Sequence, residues 1–262
     1  MQAIYEPRGA AREYAPLACN LYRGCTHGCK YCYAPAAIRM SREEFHADSQ
    51  LRPGILDALE KDAARFRGCA DGVLLCFTSD PYPPDGSEPM RRALQILAAH
   101  DVPVEILTKG GTRACRDFDV LGRMKGAFGT TLLFTRDEDR AEWEPKAAPV
   151  EDRIEAIREA HRRRIPTWVS IEPIIIPQQA LALIETLSDV VDEWRIGKLN
   201  HHPLAATIDW AAWAPRLLDA ARASGRRYMI KDSLKPWLPA RWRREQRWRP
   251  PVQHAGAPQT TA

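Results

Sequence analysis

Three cysteines, Cys25, Cys29 and Cys32, fall within eight residues of the stretch NLYRGCTHGCKYCYAP, residues 20–35. Thiolates are soft ligands, and three of them on one loop can wrap a single metal centre. A structural zinc site asks for four protein ligands, normally as two pairs. Candidates for the fourth are His27, inside the loop, or Cys69 and Cys115, which lack a paired partner. A four-iron cluster tolerates three protein thiolates when something else binds the last iron. That remaining partner can be a substrate or a cofactor, so the spacing favours an iron–sulfur centre while zinc stays open.

Such a loop needs a scaffold. Short apolar, β-rich runs alternate with longer segments of helical period. The pattern predicts strands near 73–77, 104–108, 129–134, 167–172, 190–196 and 227–231, with an earlier one around 16–22 leading into the cysteines. Helices are expected at about 53–67, 89–100, 113–125, 150–164, 177–188 and 209–223. Near-continuous apolar strands, each followed by a helix, imply a parallel sheet with helices outside. Six or seven such units suit a partial (β/α)6-type TIM-like barrel. Residues 1–225 are assigned to it, and 226–262 to a basic, Trp/Arg-rich extension whose end is expected to be disordered. Polar residues gather just past the strand ends: TSDPYPP (78–84), Thr108 with Lys109, and Ser170 with Glu172. In a barrel those ends share one face, where binding sites are built.

Composition narrows the class. The chain has 262 residues, 45% hydrophobic and 27% charged, with no apolar run long enough to span a bilayer. The N-terminal stretch lacks the apolar core of a secretory signal, so a cytoplasmic, reducing location is expected. There, seven cysteines point to metal or redox chemistry rather than disulfides. The net charge of +4 hides an asymmetry: Arg222 to Arg249 holds ten Lys or Arg against Asp232 and Glu245. Trp237, Trp242 and Trp248 lie among those arginines.

The C-x3-C-x2-C spacing, followed by Tyr33 and placed after a first strand, resembles the signature of the radical S-adenosylmethionine (SAM) superfamily. With FTSDPYPP, ILTKG and SIEPI, it is similar to the spore photoproduct lyase-like branch, related to DNA repair photolyases, over residues 18–200. The resemblance implies a [4Fe-4S] cluster on Cys25, Cys29 and Cys32 whose open iron binds SAM. Reduction, by a donor such as flavodoxin or ferredoxin, then cleaves SAM to a 5′-deoxyadenosyl radical. It implies lyase-like DNA-repair chemistry on a nucleic acid or nucleobase. Tyr33 would touch SAM, and Ser79 and Asp80 would lie beside it. Thr108 and Lys109 match a pair after the third strand, Lys109 facing the SAM carboxylate or a substrate phosphate. Ser170 and Glu172 would approach the ribose, and Gly197 in RIGKLN would let the backbone come close to SAM. For these polar residues, capping or turn formation is the alternative.

Tyr31 and Cys76 are the candidates for catalytic roles, with plain packing the alternative for each. In the lyase a hydrogen-returning cysteine directly precedes Thr-Ser-Asp, whereas here Phe77 intervenes. A one-residue offset turns a strand side chain to the opposite face, so Cys76 points inward only if a bulge restores it. His27 and Lys30 read as solvated, and Arg23 and Gly24 as turn residues, Gly24 for its backbone freedom. His201 and His202 read as mouth loop residues, since adjacent side chains diverge and no H-E-x-x-H helix accompanies them. The tail could hold nucleic acid through arginine and indole, or cap the barrel with its tryptophans inward. Two readings stay beside the leading one: the same radical chemistry on a peptide or small metabolite, and a non-catalytic metal-binding nucleic-acid module. Oligomeric state leaves no trace in the sequence.

Overall fold

Alternating apolar strands and amphipathic helices wind into one curled sheet wrapped on its outer side. The computed structural model describes residues 1–243 apart from 85 and 87. Among them the strands are β1 (Leu17–Ala18), β2 (Tyr22–Arg23), β3 (Gln50–Leu51), β4 (Val73–Leu75), β5 (Val104–Thr108), β6 (Gly126–Thr131), β7 (Thr167–Ile174), β8 (Glu193–Lys198) and β9 (Arg227–Ile230). The α-helices are α1 (Ala34–Ala37), α2 (Arg42–Ala47), α3 (Ile55–Arg65), α4 (Glu88–Ala99), α5 (Phe118–Leu121), α6 (Asp137–Trp143), α7 (Val150–Arg162), α8 (Pro177–Leu187) and α9 (Trp210–Ala223). Strands β1 and β4 to β9 pair in parallel, in chain order, and curl into a half-barrel. β2 and β3 form a separate antiparallel ribbon beside the cysteine loop. Among the described residues no helix is long and apolar enough to cross a membrane.

The period of two along each strand divides the core. Leu75, Ile106, Phe128, Val169 and Ile196 face outward into the large cluster beneath the helices. Their neighbours Leu74, Ala127 and Trp168 face inward, joined by Tyr14, Ala15, Phe77 and Leu107. The interior also takes charge. Arg195, fully buried, pairs with Glu105 at 2.7 Å and Glu193 at 2.9 Å, and its guanidinium lies 3.4 Å from the centre of the Trp168 ring.

The N-terminal segment completes the interior from the side. Tyr5 and Ala18 exchange backbone hydrogen bonds along β1, while Lys231 Nζ donates to Ala10 O at 2.7 Å and the Asp232 amide to Glu13 Oε2 at 2.8 Å, just beyond β9. One segment thus bridges both sheet edges and inserts Tyr14 between them.

Three expectations change. The expected strand near 227–231, β9, belongs to the sheet, so the barrel runs past residue 225 into the basic segment. The strand expected at 129–134 is Gly126–Thr131, and the helix expected at 113–125 is a 3-10 turn over Gly111–Asp117 followed by the short α5. The rest of the extension, from residue 244, lies outside the described residues.

Removing one partner of a buried charge cluster leaves the others uncompensated. Arg195→Met keeps the stem against Trp168 but takes the guanidinium away from Glu105 and Glu193. Urea unfolding of the variant should show a loss of roughly 3–5 kcal/mol with an unchanged slope; a loss below about 1 kcal/mol would mean that this layer contributes little.

Candidate active site

The chain leaves β1 at Ala18 and turns over the carboxyl ends of the strands. Gly24 makes the turn at φ 82°, and a Cβ there would lie 2.2 Å from the Asp48 carbonyl, so only glycine fits. Cys25, Cys29 and Cys32 follow, all free thiols, Cys29 buried and the other two partly so. The loop is pinned from two sides. Its inner side meets the end of α6 and the segment after it: the Lys30 amide donates to Trp143 O at 2.9 Å, and the Lys146 amide to His27 O at 3.1 Å. Its outer side meets α2, where Phe45 O accepts the Cys25 amide at 3.0 Å.

The donor set fits an iron–sulfur cluster. Burial pushes all three thiols up, Cys29 to about 12, with Lys109 opposing most directly at Cys29. Amides of His27 and Ala34 bond to the sulfurs of Cys25 and Cys32, an arrangement that stabilises thiolate once iron replaces the proton. The sulfurs feel one another's charge. Three protein thiolates suit a four-iron cluster, whose last iron takes another ligand, better than a structural zinc, which asks for four. His27 is buried, not solvated, with Nδ1 3.5 Å from Asp80 Oδ2. Burial holds its pKa down, to about 4.

Asp80 is a joint. It accepts from the Tyr82 amide at 2.9 Å, Thr108 Oγ1 at 2.6 Å and the Lys109 amide at 2.7 Å. Burial alone would raise its pKa, but His27 and these donors hold it below the usual carboxylate range. Thr108 Oγ1 also accepts the Gly110 amide at 2.8 Å. Asp80 and Thr108, expected at the cofactor, thus spend their polar atoms tying β4's loop to the end of β5. What they aim is Lys109. Its half-buried amine donates to Thr131 Oγ1 at 3.3 Å and stands 5.8 Å from the Tyr31 ring centre. Burial opposes its charge; Cys29 and Glu144 outweigh that and keep the ammonium above the ordinary lysine range.

Below lies a pair that sequence reasoning missed. Glu144 and Arg153 meet at 2.6 Å, both wholly buried, and the Tyr31 hydroxyl donates to Glu144. Arg153 donates to Ala148 O at 2.8 Å and Thr131 O at 3.0 Å. Burial would raise Glu144, but Arg153 and Lys109 hold it below its usual value.

On the barrel side, Tyr33 is 54% exposed, its ring open to the mouth and its hydroxyl donating to Phe77 O at 3.2 Å. The Tyr14 hydroxyl sits 2.7 Å from Ser170 Oγ and donates to Glu172 Oε2 at 2.6 Å. Ser170 is therefore engaged deep in the interior, while Glu172 is partly open, raised by burial and opposed by Lys231 at 3.7 Å. A Cβ on Gly197 would come 2.6 Å from Glu172 Cδ, so that glycine makes room for Glu172 rather than for a direct backbone approach. Cys76 packs in the outer core with Cys19 and Leu21, Ser79 beside it, and burial pushes it up to about 12. His202 Nδ1 accepts the Leu204 amide at 3.2 Å and its ring meets Trp143 at 5.2 Å. Of the tail, Trp237 is exposed, and Trp242 packs on the core beneath Arg222 and Arg241. Trp248, Arg244 and Arg247 lie outside the described residues. Helix α2 had a readable signal, the capping pair Ser41 and Glu44 of SREE; the Glu144–Arg153 pairing had none.

The family model described as the Radical SAM superfamily matches residues 19–190. No curated protein matches significantly. A spore photoproduct lyase mutant with bound AdoMet and dinucleoside spore photoproduct superposes with a TM-score of 0.65 at 15% identity, over 86% of this chain and 78% of that one. Spore photoproduct lyase complexed with dinucleoside spore photoproduct gives 0.66 at 14% identity, over 86% and 80%. Streptococcus suis SuiB bound to S-adenosylmethionine gives 0.63 at 12%, over 85% of this chain and 52% of that one.

Glu144→Gln leaves Arg153 buried without its counter-charge, a loss of roughly 3–5 kcal/mol at neutral pH. Because the folded Glu144 titrates below its unfolded value of about 4.3, its contribution is complete above that value and disappears as the pH falls through the depressed one. Urea midpoints measured from pH 7 down to pH 3 should therefore converge for wild type and variant in acid.

Proposed function

Because the chain belongs to the radical SAM superfamily, and so is an enzyme working with a four-iron cluster and S-adenosylmethionine, we propose that its substrate is a nucleic-acid base or lesion. Cys25, Cys29 and Cys32 would hold three irons and leave the fourth corner for the amino-acid end of SAM. The bound pair would supply one-electron cleavage of a sulfonium and, from it, hydrogen-atom abstraction at carbon.

Residues of the chain divide the remaining work. The Lys109 ammonium, bonded within the protein only to Thr131 among the described residues, suits the SAM carboxylate. Asp80 and Thr108 orient it through the Lys109 amide and the β5 turn. Tyr33 offers a ring face at the mouth for adenine. Glu172 is positioned to accept from a ribose hydroxyl, steadied by Tyr14 and Ser170 and given space by Gly197. Tyr31 positions Glu144 beneath Lys109 rather than meeting substrate, and Ser79 and Cys76 serve the packing of the β4 end.

The observation that carries this reading is the set of three free thiols on one loop beside a half-buried, charged lysine. The nucleobase assignment draws support from the shared half-barrel, since spore photoproduct lyases of similar fold bind dinucleoside spore photoproduct. Exposed Trp237, following β9, adds a ring suited to stacking on a base.

Anaerobic protein reconstituted with iron and sulfide should bind close to four irons per chain by the cluster stoichiometry, and Cys29→Ala should lose most of them. Given reductant and SAM, 5′-deoxyadenosine formation should rise when ultraviolet-irradiated DNA is added. A yield indifferent to any nucleic acid would remove the nucleobase assignment. Lys109→Met should weaken SAM binding about tenfold or more in equilibrium dialysis, as expected for a lost charged hydrogen bond.

A further inference from the structure

Side chains of one short helix grip the outside of the cysteine loop. Arg42 opens α2, where Ser41 Oγ accepts the Glu44 amide at 3.1 Å. Its guanidinium spans two cysteine carbonyls, Nη2 donating to Cys29 O at 2.6 Å and Nη1 to Cys32 O at 2.9 Å. One turn later, His46 Nδ1 lies 2.8 Å from Cys25 O, and because a carbonyl only accepts, that nitrogen donates. All three cysteine carbonyls are thereby met from α2.

Arg42 stands apart among the cations nearby. It is exposed, yet its head group touches the backbone of Cys29, the most buried of the three cysteines, and it pairs with no carboxylate among the described residues. Lys30, by contrast, is neutralised by Glu142 at 3.2 Å. Arg39, three residues upstream, is equally exposed and bonds neither carbonyl. A guanidinium keeps its charge at every working pH, and its planar fork is matched to two acceptors. The potential of an iron–sulfur cluster responds to nearby charge, hydrogen bonding and exposure.

We propose that Arg42 is a positioning residue that sets both the shape of the cysteine loop and the ease with which its cluster is reduced. Reduction adds one electron, drawn from an external one-electron donor. The positive charge fixed at the Cys29 and Cys32 carbonyls favours the more negative, reduced state. This inference rests on the cluster assignment above. A wild-type protein that takes up no four-iron cluster defeats that assignment, whereas a loaded protein tests this one.

The test is the midpoint potential of the reconstituted cluster, followed by spectroelectrochemistry without substrate. Arg42→Gln should make reduction about tenfold less favourable, or about 59 mV more negative for one electron. Arg42→Lys, which keeps the charge, and Arg39→Gln, which removes a charge not bonded to the loop, should each stay within about twofold of wild type. The idea is overturned if Arg42→Gln leaves the potential unchanged, if Arg42→Lys shifts it as far, or if Arg39→Gln matches it. Should Arg42→Gln fail to load iron, Arg42→Lys decides: loading with the wild-type potential supports the proposal, and failure of both refutes the role of charge.

Discussion

A loop that carries three closely spaced thiols has no ladder of its own, so its amides and carbonyls must be met from outside or left unsatisfied. Here they are met by two neighbours. Helix α2 takes the three cysteine carbonyls and the Cys25 amide, and the stretch after α6 takes Lys30 and His27. Rigidity of the ligand set is thus a property of residues 41–48 and 143–146 as much as of the cysteines. Gly24 is the hinge that lets the loop lie this close to α2.

Charge buried under that loop is arranged so that each group has a counterpart. Asp80 collects three donors and faces His27, Glu144 pairs with Arg153 and takes the Tyr31 hydroxyl, and Lys109 is left with one hydroxyl. An ammonium so sparsely bonded in a half-buried setting is open to an anion. The same logic runs lower in the barrel, where Arg195 sits between Glu105 and Glu193 against Trp168. Polar chemistry is concentrated inside the curl, and the apolar faces of the strands turn toward the helices.

That division explains why neighbouring residues differ in use. Leu74 and Phe77 look into the barrel while Leu75 and Cys76 belong to the outer core, so the thiol beside the TSD segment is shielded from the interior. The interior polar hydroxyl comes instead from Tyr14, carried in by a segment that ties β1 to the end of β9. A half-barrel has two free edges, and this chain covers both with its own N-terminal residues, leaving the carboxyl-end mouth as the face where the thiols, Lys109 and Glu172 gather.

The sequence alone determined the local part of this protein. Thiol spacing, apolar period and the turn glycine are all readable within about ten residues, because ligand sets, strands and turns are short-range patterns. They marked the three-thiol loop and predicted the parallel half-barrel and most element positions. Where small residues replaced apolar ones, as in GAFGTT, the strand was placed three residues late, since Gly126 and Gly129 are there to admit Leu121 and Trp168. Only the tertiary structure decided roles that depend on distant partners: Tyr14 with Ser170, 156 residues apart, Arg195 with Glu105, 90 apart, and Lys231 with Ala10, 221 apart. Whether a polar side chain faces a cofactor or fastens the scaffold is set by which groups folding brings within 3 Å of it, and no local pattern encodes that.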